Sequence, residues 1–215
     1  MKKGILITLP RYDDVTEYLS QFSQQIEDAA NKSNIEIMPL KDKEAIKDTF
    51  EKIIKKQDYK MVVFNGHGSD KAISGNKEIL IESGVNDFLI KDRIVYARSC
   101  HAAAVLGVAC TKNSKDGCFI GYNKPFQFYV DTQWTGNPLK DNIARLFLES
   151  SNLVPISLIK GNSTFYANEN AKKQMLKNIK KILVKADSES FKIAEALWNN
   201  YEGQVLLGNS DMFLI

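Results

Sequence analysis

Two short segments of this sequence carry side chains suited to nucleophilic chemistry: Phe64-Asn65-Gly66-His67-Gly68 and Arg98-Ser99-Cys100-His101. Each follows a compact apolar run, Met61–Asn65 (MVVFN) and Ile94–Ala97 (IVYA), that reads as a buried strand. In open α/β sheets, ligands bind beyond the carboxyl ends of the strands. If these two strands are neighbours, Cys100 and His67 emerge at one edge, where a nucleophile and its general base can meet. The attacking species of a cysteine is the thiolate. An alanine-rich run, Ala102–Ala109, predicts a helix whose N-terminal dipole favours that anion at Cys100. Gly66 and Gly68 let the backbone turn tightly around His67. The amides of Gly68 and Cys100 are the candidate oxyanion hole.

The elements that must position these groups alternate along the chain. Strands are expected at Gly4–Leu9, Ile35–Leu40, Met61–Asn65, Ile94–Ala97 and Cys118–Tyr122. Helices are expected at Asp13–Asn31 and Asp42–Gln57, then at Leu139–Ser150, Asn168–Ala186 and Glu189–Tyr201. Gly75-Asn76 reads as a hairpin tip, with Glu78–Ile81 as an extra strand, and Val205–Gly208 as a closing strand or turn. The alternation predicts a three-layer α/β/α fold with a mostly parallel central sheet. No repeat, linker or composition shift divides the 215 residues, so residues 1–215 read as one domain.

Composition narrows the function classes. A net charge of +3 gives little support to nucleic-acid binding. The lysines from Lys172 to Lys185 read as the solvated face of a helix that buries Met175, Ile179 and Ile182. No apolar stretch reaches the roughly 18 residues that span a bilayer. The opening run stops at Pro10 without a small-residue cleavage site, as a first strand does and a signal peptide does not. Three sparse cysteines form no disulfide framework, and a reducing cytoplasm is the expected setting. Cys110 and Cys118 read as small buried hydrophobes. With no C-x-x-C pair and only two histidines, no metal site is expected, and the dyad chemistry needs no cofactor. His101 reads as structural, since adjacent helical positions diverge by about 100°.

Phe64–Gly68 resembles the histidine motif of metacaspases, and Ser99-Cys100-His101 resembles their cysteine motif. Pro155–Gly161 (PISLIKG) and Ala196–Ile215 resemble the closing stretch of CHAT-type and gingipain-like peptidases. The resemblance implies a caspase-like fold and a cysteine endopeptidase that cleaves protein or peptide substrates as a regulated effector; with 215 residues leaving no room for a sensor domain, a sensor or regulatory protein is the expected partner in that control. Metacaspases carry an acidic residue two positions before the cysteine, where it helps to bind a basic P1 side chain; this chain has Arg98 there. An Arg98 in the S1 pocket would reject Lys and Arg and admit an acidic or neutral P1, while Asp131 is the alternative, negative wall. The loop Asn123–Pro138 carries Phe126, Phe128, Tyr129 and Trp134, and Phe128 and Trp134 are candidates to line a substrate groove. Two further readings stay open: a catalytically silent caspase-like module that binds a protein partner, and a thiol amidase of small molecules.

Overall fold

The computed structural model describes residues 2–215. Six strands form one sheet in the order β2 (Glu36–Lys41), β1 (Lys2–Leu9), β3 (Tyr59–Asn65), β6 (Ile94–Arg98), β7 (Cys118–Tyr122) and β8 (Gln204–Gly208). All neighbours are parallel except β7 and β8, which pair antiparallel with Cys118 opposite Gly208. A separate hairpin, β4 (Ala72–Ser74) with β5 (Ile79–Glu82), turns at the expected Gly75.

Helices cover both faces, as a parallel sheet requires. Along β3 and β6 the alternate residues Met61, Val63, Ile94 and Tyr96 join a core with α2 (Gln24–Lys32), α5 (Asn142–Ile159) and α6 (Thr164–Leu183). Val62, Phe64, Val95 and Ala97 join the opposite core with α3 (Lys47–Lys56), α4 (Leu106–Thr111) and the hairpin. A third cluster packs α1 (Asp14–Phe22) and α7 (Ser188–Gly203) against α5, with Phe126, Phe128 and Val130 of the aromatic loop. No helix among the described residues is long and apolar enough to cross a membrane.

Several expected helix boundaries move; the helix expected from Asp42 begins at Lys47, for example, after a single short turn. The helix expected over Asp13–Asn31 is two helices, interrupted at Ser23, whose hydroxyl donates to Leu19 O at 2.8 Å and accepts from Arg98. α5 runs on to Ile159 instead of ending near Ser150, carrying Pro155 inside it. α6 begins at Thr164, where Ser163 caps it by accepting from the Tyr166 amide. Proline is tolerated in α5 because the carbonyl it leaves unpaired, four residues back, has another partner. Ser151 O accepts the buried Tyr96 hydroxyl at 2.8 Å.

That substitution of partners is testable. Tyr96→Phe strips Ser151 O of its donor and is expected to destabilise the protein by about 1–3 kcal/mol in urea denaturation. In a Pro155→Ala background the helix supplies an N–H to the same carbonyl, and the loss is expected to shrink. An equal loss in both backgrounds would show that the tyrosine hydroxyl acts elsewhere.

Candidate active site

β3 and β6 are parallel neighbours with Asn65 opposite Arg98, so the chain leaves both strands at the same rim. Gly66 follows β3 at φ +151°, and a Cβ there would lie 2.0 Å from Ser74 O. A Cβ on Gly68 would meet Cys100 O at 2.5 Å and Cys100 N at 3.0 Å. Gly68 therefore allows the two loops to touch backbone to backbone, and Gly66 lets the first of them lie against the β4–β5 hairpin. Ser99 stitches them, its hydroxyl donating to Gly66 O at 2.9 Å. His67 and Cys100 line one cavity of about 500 Å³.

The His67 ring has a partner that the sequence motifs do not mark. Asp13 is the N-cap of α1: its Oδ1 accepts the Thr16 amide at 2.8 Å and the Thr16 hydroxyl at 2.7 Å. Its Oδ2 lies 2.7 Å from His67 Nε2. An ionised carboxylate only accepts, so Nε2–H donates and Nδ1 becomes the ring's acceptor. Burial raises the Asp13 carboxyl pKa, but the Thr16 amide, the His67 hydrogen bond, the Thr16 hydroxyl and the His67 charge outweigh it, and the net shift is downward. The one local signal is the position of Asp13, just past the end of β1 at the start of a helix, which reads equally well as a cap and nothing more.

Cys100 stands in a turn, not at a helix N-terminus. Its thiol is 3.8 Å from Phe126 O, and among the described residues no hydrogen bond joins it to His67 in this resting arrangement. The expected Ala102–Ala109 helix is replaced by turns up to α4, which begins only at Leu106. Tertiary bonds override the alanine propensity. His101 takes a left-handed φ of 59°, its amide donates to Lys124 O, and the Ala103 amide donates to Tyr122 O at the end of β7. The helix-dipole support for a Cys100 thiolate is therefore absent. His101 Nδ1 lies 3.6 Å from Asp70 Oδ1. Cys110 and Cys118 are buried, and burial pushes both thiols up to about 12.

Gly68 pairs with Ile73 across an antiparallel bridge in which the Ser74 amide donates to His67 O and the Ser69 amide to Ala72 O. That is a non-hydrogen-bonded pair, so the Gly68 amide points out of the bridge. Among the described residues neither it nor the Cys100 amide is used in a turn or ladder bond.

Of the residues expected to bind substrate, Phe128 lines the cavity and the other three do not. Arg98 is fully buried on the face of the sheet that α1 and α5 cover, and it reaches no solvent. Its position follows from strand alternation, since Ile94, Tyr96 and Arg98 share a face. Asp131 is turned to its own loop, accepting the Gln133 amide, and Trp134 packs under the Lys140 ammonium at 5.6 Å. The walls are instead Phe126, Phe128 and Val130 on one side and Asp14, Val15 and Tyr18 of α1 on the other. Asp14 is the charged side chain of that wall, and among the described residues no lysine or arginine lines it.

The aromatic wall is fastened from behind. Asp141 is buried and accepts from the Tyr18 hydroxyl, the Asp131 amide and the first amides of α5. Burial, then this bond, pushes the Tyr18 phenol up to about 12. Asn200 of α7 brackets Gln127, accepting from its amide and donating to its carbonyl.

The Asp13–His67 contact predicts a tautomer. Nitrogen-15 correlation spectra near neutral pH are expected to show the neutral His67 ring protonated on Nε2, and Asp13→Asn is expected to abolish that preference; an Nδ1–H ring in the wild type would refute the assignment. Because the Asp13 pKa is lowered on folding, its contribution to stability is complete above the unfolded value, about 4, and is lost as pH falls through the native one. Acid unfolding of Asp13→Asn is therefore expected to lose part of the wild type's pH dependence below about pH 4.

No family model matches the chain, and no curated protein matches it. Among solved structures, it is similar to the Arg-specific cysteine proteinase gingipain R, with a TM-score of 0.66 at 10% identity. The likeness covers 99% of this chain and 47% of that one, so the chain spans under half the length of that proteinase chain. Six mostly parallel strands between helical layers, superposing on that neighbour over nearly the whole chain, make this a caspase-like α/β/α fold.

Proposed function

We propose that the chain is a cysteine endopeptidase in which Cys100 is the nucleophile and His67 the general base. The observation that carries the reading is the meeting of both side chains in one cavity, beyond the ends of adjacent parallel strands. His67 Nδ1 takes the thiol proton while Nε2–H stays bonded to Asp13, which orients the ring and stabilises the imidazolium as it forms. Cys100 Sγ attacks the scissile carbonyl, and the Gly68 and Cys100 amides receive the oxyanion. The imidazolium then protonates the leaving amine, and water, deprotonated by the same ring, releases the acyl group. The thiol leaves Phe126 O for His67 on substrate binding, in keeping with the looser geometry of unliganded sites.

The cavity supports protein or peptide substrates and a selection rule opposite to the one Arg98 implied. With Asp14 in the wall and no cation facing the site among the described residues, an acidic P1 has no partner and meets a like charge. Apolar or basic P1 side chains fit the aromatic wall. The structural neighbour is itself Arg-specific.

The second reading, a silent module that binds a partner, draws on the absence of a Cys100–His67 hydrogen bond. Iodoacetamide separates the two: a peptidase site alkylates Cys100 faster than free cysteine, and a silent one does not. In a fluorogenic peptide library, Cys100→Ala is expected to abolish cleavage and His67→Ala to reduce it roughly 10²- to 10⁴-fold. P1 Asp and Glu are expected to be cut at least about tenfold more slowly than the best P1 residue. Preference for an acidic P1 would overturn the pocket assignment, and cleavage surviving Cys100→Ala would overturn the mechanism.

A further inference from the structure

Arg98 is a fully buried cation with no carboxylate in ion-pair range among the described residues. All five of its N–H donors are nevertheless used. Nε donates to Asn65 Oδ1 at 2.8 Å; Nη1 donates to Asn152 Oδ1 at 2.7 Å and Ser151 Oγ at 3.3 Å; Nη2 donates to Ser23 Oγ at 2.5 Å and Leu19 O at 3.0 Å. The acceptors belong to β3, to α5, to α1 and to the join between α1 and α2. A planar fork with five fixed donors can hold such a set, and a point charge cannot.

Asn65 carries the network onward. Its amide donates to Thr8 Oγ1 at 3.0 Å, its side-chain nitrogen donates to Thr8 O at 2.7 Å and to Ser23 Oγ at 3.3 Å, and its carbonyl accepts from the Thr8 hydroxyl. Thr8, Asn65 and Arg98 lie at or near the ends of β1, β3 and β6. Five residues beyond Thr8 stands Asp13, two beyond Asn65 stands His67, and two beyond Arg98 stands Cys100. One guanidinium thus ties together the bases of the three segments that bear the candidate nucleophile, its base and the base's orienting carboxylate.

We propose that Arg98 is a positioning residue: through Asn65, Thr8 and the α1–α2 join it sets the mutual placement of Asp13, His67 and Cys100. The proposal rests on the peptidase reading of that site. A buried guanidinium needs its five donors satisfied whatever its role; what points to positioning is that the acceptors include the residue two before His67 and the helix that Asp13 caps.

The test replaces the fork while keeping the charge. R98K supplies three donors from a single nitrogen and cannot reach all five acceptors. Asn178→Ala is the control; that side chain is buried on α6, bonded to Leu146 O and Ser150 Oγ, away from the cavity. Both variants are assayed well below their melting temperatures, for peptide cleavage and for the rate of Cys100 alkylation. The expected result for R98K is a kcat lowered at least about tenfold with KM within about twofold, and slower alkylation. Asn178→Ala is expected to leave both near wild type. Equal behaviour of the two variants would overturn positioning and leave Arg98 a stabilising residue. If the wild type cleaves no peptide, slower alkylation in R98K alone still supports positioning while the peptidase reading falls. Should R98K fail to fold, Ser23→Ala removes the acceptor shared by Arg98 and Asn65; a kcat or alkylation rate lowered about threefold supports the proposal, and an unchanged one overturns it.

Discussion

The lateral register of β3 and β6 is the constraint on which the rest of the structure depends. With Asn65 set opposite Arg98, the two strands end level, and everything their loops carry is delivered to one rim. The register is held by main-chain bonds and by period-two burial on both faces, so a one-residue slip of either strand would swap Val63 with Phe64, or Tyr96 with Ala97, between two different cores. The glycines beyond the strands then do what no other residue could: at Gly66 and Gly68 a side chain would collide with Ser74 O or with the Cys100 backbone.

Around this rim the surroundings are polar and internally satisfied, and they reach across the sequence. Asp13, at the entrance to α1, serves at once as helix cap and as partner of the His67 ring. Asp141 caps α5 and simultaneously holds Tyr18 and the aromatic loop. Both carboxylates accept backbone amides that need an acceptor in any case, so helix termini and the cavity share the same charges. The carboxylate in the cavity wall itself is a third one, Asp14, while the buried Arg98 cation is sealed beneath the strands. Two groups only two positions apart in sequence, Arg98 and Cys100, therefore face entirely different environments.

Much of the fold was legible in the sequence because its signals are local. Apolar runs such as MVVFN and IVYA are both short and followed at once by polar or glycine residues, which marks them as buried strands and places His67 and Cys100 beyond their ends. The structure departs from the local reading where a local preference meets a tertiary partner. Ala102, Ala103 and Ala104 prefer a helix, yet the amides of His101 and Ala103 are drawn to carbonyls at and beyond the end of β7. Pro155 has no N–H to give Ser151 O, yet the Tyr96 hydroxyl takes that place and the helix runs on. The resemblance to metacaspases implies a pocket residue at Arg98, although its alternation with Ile94 and Tyr96 puts it on the face they share.

By itself the sequence determined the strand–helix alternation, the two-faced burial of the central strands and the sites at which the chain leaves them, since hydrophobic periodicity and glycine's conformational freedom act over a few residues. Only the tertiary structure decided that Asp13, 54 positions away, would meet His67, that Arg98 would turn inward, and that Asp14 rather than Asp131 would supply the charge in the cavity wall. Partners of buried or half-buried polar groups come from whichever segments the packed core brings together, and no local pattern encodes that choice.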